Sequence, residues 1–321
     1  MTTTETSKTL ALTGGVGGAK LCLGLAQVLP ASELDILVNT ADDFEHLGLP
    51  IWPDIDTLLY TLSGRANQTL GWGLEGESWN CMESLESLGG ETWFRLGDRD
   101  LATHLWRAEA QRQGRGAADI VAALAQQMDI AVGIYPMSDD QVRTIVRCDE
   151  GNLPFQHYFV RRQCEPPVTG FSFEGITSAR GNASVLRQLK AGDYGRIVVS
   201  PSNPYVSIDP ILQVPGVWTA LRDSAAPVVF VSPIVSGLAI KGPAAKMMRE
   251  LDVPVTALGV AEHYRRRYPG LVDYFVIDES DATLAPEIEQ LGMRAVVAPT
   301  VMKNQQQKES LARYCLALEP L

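Results

Sequence analysis

The opening of the chain constrains its fold more than any other stretch. Residues 8–12 form a short apolar run that suits a buried strand. They pass into Thr13-Gly14-Gly15-Val16-Gly17-Gly18, and then into residues 19–29, whose apolar positions recur at helical spacing until Pro30. Residues 34–38 are a second apolar run. Strand, helix and strand in that order make a βαβ unit, which belongs in a parallel sheet with helices on its faces. The expected fold is therefore α/β: a Rossmann-like, doubly wound, mostly parallel sheet.

The same rhythm returns late in the chain. Residues 196–200, 227–231, 255–259, 274–277 and 294–298 read as short strands, with helical patterns at 243–251 and 305–317. In between, residues 54–62, 98–113 and 117–128 read as helices, and 142–148 and 155–161 as strands of a half-exposed sheet. Residues 64–97 are rich in Gly, Trp and Glu, with Trp72, Trp79 and Trp93 as packing anchors or a pocket wall. The expected organisation is a nucleotide-binding core from residues 1–63 and 181–321, carrying residues 64–180 as an inserted smaller α/β substructure.

The glycine run matches neither common phosphate-binding template. A dinucleotide fingerprint from Gly15 would need a glycine where Lys20 stands, and Ala19-Lys20-Leu21 does not close a Gly-Lys-Ser/Thr loop. The physics survives the mismatch: glycines let backbone amides approach a phosphate, and the helix that follows favours an anion at its N-terminus. The helix interior position of Lys20 still leaves it able to add a cation.

An acidic stretch follows. Asp42, Asp43, Glu45, Asp54 and Asp56 fall within fifteen residues, and no Lys or Arg occurs between Lys20 and Arg65. Clustered carboxylates repel one another and are costly to desolvate without a counter-charge. Beside a glycine run they suggest a hard cation such as Mg²⁺, shared with substrate phosphates. Asp42, Asp43 and Asp54 are the candidate ligands. The plainer alternative is a solvated loop that caps the next helix.

Two further segments have binding chemistry. Ser200-Pro201-Ser202-Asn203-Pro204 follows the strand at 196–200 and combines stiffness with short hydrogen-bonding groups. A similar loop, Val231-Ser232-Pro233, follows the next strand, and Lys241-Gly242-Pro243 could hold a further anion. Phe94-Arg95-Leu96-Gly97-Asp98-Arg99 brings two cations to an acidic half, either for substrate anions or to pair with nearby carboxylates. His46 is the one histidine considered for a functional role, and His104 suits a structural hydrogen bond.

Composition removes other classes. A net charge of -11 argues against a broad nucleic-acid surface. The five cysteines are scattered, without Cys-x-x-Cys spacing, so neither a disulfide framework nor a zinc site is expected. No run approaches a membrane span and the N-terminus does not read as a signal peptide, so a cytoplasmic protein without a membrane partner is expected.

The order of these blocks carries a resemblance. Thr13-Gly14-Gly15-Val16-Gly17-Gly18-Ala19-Lys20, Asn39-Thr40-Ala41-Asp42-Asp43, Pro53-Asp54-Ile55-Asp56-Thr57, Leu96-Gly97-Asp98-Arg99-Asp100, Pro136-Met137-Ser138-Asp139-Asp140, Pro201-Ser202-Asn203-Pro204 and Val231-Ser232-Pro233-Ile234 occur in sequence. The chain resembles the 2-phospho-L-lactate transferase family of coenzyme F-420 biosynthesis over nearly its whole length. The resemblance implies a Mg²⁺-dependent transfer of a phospho-acid group (2-phospholactate, phosphoenolpyruvate or 3-phosphoglycerate) from a GDP-linked donor to the deazaflavin F-O. The terminal ribityl hydroxyl attacks and GMP leaves. A guanylyltransferase would supply the donor, and a homodimer is implied.

The resemblance also assigns residues. Asp56 and Arg95 map onto the family's deazaflavin-binding pair, with 64–180 on the acceptor side. Gly14, Gly15, Asn39, Thr40, Ser202 and Asn203 map onto guanine nucleotide binding, and Gly17 of the same run is a further substrate-binding candidate. Asp56 is placed to orient or deprotonate the attacking hydroxyl, and Lys20 or Arg99 to offset diphosphate charge. Two other readings remain beside it. A nicotinamide-dependent dehydrogenase shares the βαβ opening but leaves the acids idle. A nucleotide-sugar-binding regulatory protein of a related non-catalytic family shares the glycine run and sheet but lacks a use for the acceptor-side blocks.

Overall fold

The computed structural model describes residues 8–239 and 242–319. Lys241, a possible anion contact in the sequence, lies outside the described residues, as do residues 1–7. In chain order the strands are β1 (Lys8–Thr13), β2 (Leu34–Val38), β3 (Phe44–His46), β4 (Leu49–Ile51), β5 (Gly133–Pro136), β6 (Arg143–Cys148), β7 (Gly151–Pro154), β8 (Val168–Glu174), β9 (Tyr194–Val199), β10 (Val228–Val231), β11 (Ile234–Val235), β12 (Leu238–Ala239), β13 (Tyr274–Ile277) and β14 (Arg294–Val297).

The main sheet has seven strands in the order β14-β13-β10-β9-β1-β2-β5. Every pairing in it is parallel. The chain enters at the centre with β1 and steps outward through β2 to β5. It then returns to the other side of β1 with β9 and steps out to β14. This is the doubly wound sheet the opening implied, and β1 and β9 flank its switch point, where such folds bind ligands.

Two apolar cores cover the two faces. Leu10 and Leu12 of β1 pack into one, with Leu37, Val199 and Phe230. Ala11 points the other way and packs with Ile36, Val38, Val198 and Val229. Side chains along each strand alternate between the two faces and are apolar on both, as a parallel sheet under two helical layers requires.

The five helices that concern the site are α1 (Gly15–Val28), α2 (Pro53–Leu62), α3 (Asn80–Ser87), α4 (Asp98–Arg112) and α5 (Ala117–Gln127). Helix α1 begins at Gly15 rather than at residue 19, so the glycine run is the first turn of the helix and not a loop before it. Gly15 has φ 67°, a conformation that favours glycine.

Residues 64–180 do not form one uninterrupted insertion. β5 lies within them and pairs with β2 in the main sheet, and α5 contributes Ile120, Val121 and Leu124 to the same core as α1. The excursions before and after β5 are separate in the chain but meet in space, where the Trp93 and His157 rings lie 4.7 Å apart. The second holds the antiparallel sheet β7-β6-β8.

Two expected strands are helical. Residues 157–161 form a π-helical turn, and the ring of Phe155, just before it, stacks on Phe159 at 5.4 Å and 7°. Residues 255–259 run into the helix Ala257–Arg267, whose N-cap Thr256 accepts from the Gly259 amide. In both places short apolar runs fit either period, and packing decides.

Candidate active site

A cavity of about 740 Å³ opens over the carboxyl ends of the central strands. Gly14 to Gly17 reach it from the end of β1, Pro201 to Asn203 from the end of β9, and Ser232 and Thr300 from beyond β10 and β14.

Its polar end is built on the start of α1. The Gly14 amide donates to Ser202 Oγ at 3.2 Å and the Gly15 amide to Asp54 Oδ1 at 2.8 Å. These two amides therefore tie the site together instead of cradling a phosphate. The next amides of the turn belong to Val16 and Gly17, which also line the cavity. A helix N-terminus there favours an anion. The glycines have a second purpose, close packing: a Cβ on Gly17 would lie 2.6 Å from the Pro201 carbonyl oxygen, and one on Gly18 2.0 Å from Thr13 Oγ1.

Asn39 is the hub behind this end. Its Nδ2 donates to Asp54 Oδ2 at 2.9 Å and to the Val206 carbonyl at 3.2 Å, while its Oδ1 accepts from the Ala41 amide. Thr40 is buried beside it and does not line the cavity. Ser202 and Asn203 line the cavity, but the Asn203 side chain also caps the turn after it, accepting from the Tyr205 and Val206 amides.

Of the acidic cluster, Asp42 and Asp54 reach the wall. Burial and the Asp54 charge push Asp42 well above the ordinary carboxylate range. Burial also pushes Asp54 up to about 6, against the hydrogen bonds from Asn39 and Gly15. Asp42 Oδ1 is buried without a hydrogen-bond partner. An all-oxygen pair with an orphaned carboxylate oxygen fits a hard cation such as Mg²⁺.

Asp43 and Asp56 turn elsewhere. Burial raises Asp43, and the charges of Arg143 and Arg107 pull against it. Asp56 is 5% exposed and does not line the cavity. Its carboxylate ion-pairs with Arg107, a fully buried residue of α4. The expected contact between Asp56 and an acceptor hydroxyl is thus not made from this position, because the carboxylate is committed behind the wall. The three expected ligands likewise do not converge. Among the described residues, the side chains that approach one another as metal ligands would are Asp56, Asp100 and His104, and the Arg107 guanidinium already lies against Asp56 and His104.

The other end of the cavity is aromatic. Trp72, Trp93, Phe94, Phe155 and Phe159 line it, as does Arg95. The Arg95 guanidinium stands 4.6 Å from the Trp79 ring centroid. Arg99 is outside the lining and donates to the Glu75 carbonyl at 2.9 Å. His46 packs in an aromatic cluster, 5.0 Å from the Trp93 ring, and burial lowers its pKa. The residues missed from sequence are Arg107 and Arg143 at the acids and Phe155 and Phe159 on the wall. Arg107 had one available signal, its place on the polar-rich helix of the Gly-Asp-Arg-Asp block.

The model of the family 2-phospho-L-lactate transferase CofD matches residues 9–311. A 2-phospho-L-lactate transferase from Methanosarcina acetivorans is 36% identical over 307 residues, 96% of this chain and 97% of that one. A phosphoenolpyruvate transferase from Streptomyces griseus is 36% identical over 312 residues, 96% of each chain. A crystal structure of a UPF0052 family member from Bacillus halodurans superposes with a TM-score of 0.64 at 16% identity, covering 97% of this chain and 99% of that one, a likeness of fold alone. The chain belongs to the 2-phospho-L-lactate transferase CofD family, a family of transferases. Among the described residues no helix is long and apolar enough to cross a membrane.

Proposed function

Taking membership of that family as the premise, we propose that the protein transfers a phospho-acid group from a GDP-linked three-carbon acid to the deazaflavin F-O, with release of GMP. The observation that supports this most is the two-ended cavity. Its polar end combines a helix N-terminus with Asp42 and Asp54, suited to a diphosphate and a cation. Its aromatic end presents Trp72, Trp93 and Phe94, suited to a flat tricyclic ring.

Asp42 and Asp54 are proposed to hold Mg²⁺, which when bound would neutralise diphosphate charge. The amides of Val16 and Gly17, with Lys20, would face the phosphates, and Ser202 and Asn203 the nucleotide. Arg95 would meet the deazaflavin. Phosphoryl transfer through a loose transition state depends on alignment and charge neutralisation more than on a strong base. The proposal therefore does not need Asp56 to touch the hydroxyl. A homodimer and a partner guanylyltransferase are proposed with it.

The test is a single reaction of protein, F-O, Mg²⁺, GTP, a guanylyltransferase and the three candidate acids in competition, read by mass spectrometry. A new deazaflavin mass that requires this protein is the expected result, and its size names the acid. No new mass, together with no F-O binding, overturns the proposal and favours a nucleotide-binding regulator.

A further inference from the structure

Arg107 is 0% exposed and stands on α4, far in sequence from its partner Asp56 on α2. Besides the ion pair, its Nη1 donates to the Pro50 carbonyl at 3.1 Å and lies 3.1 Å from His104 Nδ1. Its guanidinium stacks 4.4 Å from the Trp52 ring centroid, at the residue before α2 begins. A guanidinium only donates, so His104 Nδ1 accepts. The other ring nitrogen, Nε2, lies 3.3 Å from Asp100 Oδ1 without a hydrogen bond to it. Tyr60 donates to the same Asp100 oxygen at 2.6 Å.

This buried cluster joins α2 to α4, through the Arg107–Asp56 ion pair and the Tyr60–Asp100 hydrogen bond, at the point where α2 enters the cavity wall. Asp54 and Thr57, on either side of Asp56, both line the cavity. The loop that leads into α4 carries Arg95 and Phe94 to the aromatic end. We infer that Arg107 is a positioning residue for the transfer, acting through Asp56 to hold Asp54 and Thr57 in place on the wall; this rests on the transferase reading above. The sequence made the acidic cluster look short of a cation. Part of that cation is built in, delivered by the fold from α4.

A purely structural ion pair predicts something different. Removing one partner of a buried pair strands a charge, whereas replacing both with apolar groups of similar size is close to neutral for stability. The experiment compares Arg107→Met with the double variant Arg107→Met/Asp56→Leu, reading melting temperature, Mg²⁺ affinity by calorimetry and kcat with F-O. The expected result is that the double variant regains most of the melting temperature lost by the single one. Its Mg²⁺ affinity and kcat should remain down by roughly tenfold or more, the scale for lost outer partners of a metal site. A double variant with both stability and kcat restored overturns the inference.

If the double variant does not fold, Arg107→Lys decides. It keeps the charge but not the fork geometry, so a well-folded Arg107→Lys protein with unchanged Mg²⁺ affinity and kcat overturns the inference, and a tenfold fall in both supports it. A wild-type protein inactive with all three donors would fail the transferase reading instead. In that case Mg²⁺ affinity alone decides here: weakened in the refolded double variant supports the positioning role, and unchanged overturns it.

Discussion

Asn39 Nδ2 donates to Asp54 Oδ2 at 2.9 Å, and the other oxygen of the same carboxylate accepts from the Gly15 amide. One side chain thus ties the end of β2, the start of α2 and the first turn of α1 into a single rigid corner. Asp54→Asn keeps the shape but loses the charge, and its amide can no longer accept on both sides. We expect kcat to fall by about a hundredfold, the upper range for a disturbed metal site, and Mg²⁺ binding by calorimetry to weaken in parallel. Turnover at the wild-type level with normal Mg²⁺ dependence would remove Asp54 from the ligand set.

Gly18 tests whether the glycine run serves packing as well as phosphate. A Cβ there would sit 2.0 Å from Thr13 Oγ1 and 2.5 Å from Ser202 Oγ, inside van der Waals contact. Gly18→Ala should therefore destabilise the protein by about 1–3 kcal/mol, the usual cost of overpacking. Urea unfolding monitored by circular dichroism measures it. A variant as stable as the wild type would mean that β1 and the Ser202 loop can separate without cost.

Trp72 probes the aromatic end with little risk to the fold, since it is 44% exposed and still lines the cavity. Trp72→Ala should raise the Kd for F-O by about tenfold, equivalent to ~1.4 kcal/mol of lost aromatic contact. GDP binding should be unchanged. Fluorescence titration of F-O against both proteins is the measurement, and equal affinities would take Trp72 out of the acceptor site.

Asp98 gives a pH signature away from the cavity. Hydrogen bonds from the Ser78 hydroxyl, the Cys81 amide and Asn80 lower its pKa from 3.8 to about 2. A carboxylate depressed in the folded state stabilises that state fully above the unfolded value, and the contribution disappears as pH falls through the folded one. Asp98→Asn should therefore melt below wild type at pH 6, and the gap should close between pH 4 and pH 2. A gap that stays constant across that range would show that the carboxylate's charge is not what anchors α3.

The sequence by itself determined the parallel α/β sheet and part of the cavity wall. Short continuous apolar runs, a helix-period segment and the glycine run are local signals, and local signals fix the βαβ unit. The glycine run, the acidic stretch and the loop after residue 199, together with the family resemblance, pointed to Gly14, Gly15, Gly17, Asp42, Asp54, Arg95, Ser202 and Asn203, which line the cavity; Asn39, Thr40, Asp43, Asp56 and Arg99, named with them, do not. Spacing alone could not say where each carboxylate turns. Asp54 and Asp56 lie two residues apart on one helical turn and so point in different directions, one to the wall and the other to Arg107. The return of β5 to β2 and the delivery of Arg107 to the acids both come from pairings between distant segments. Such pairings leave no local period in the chain. They follow from burying apolar faces together, and only the packed structure could decide them.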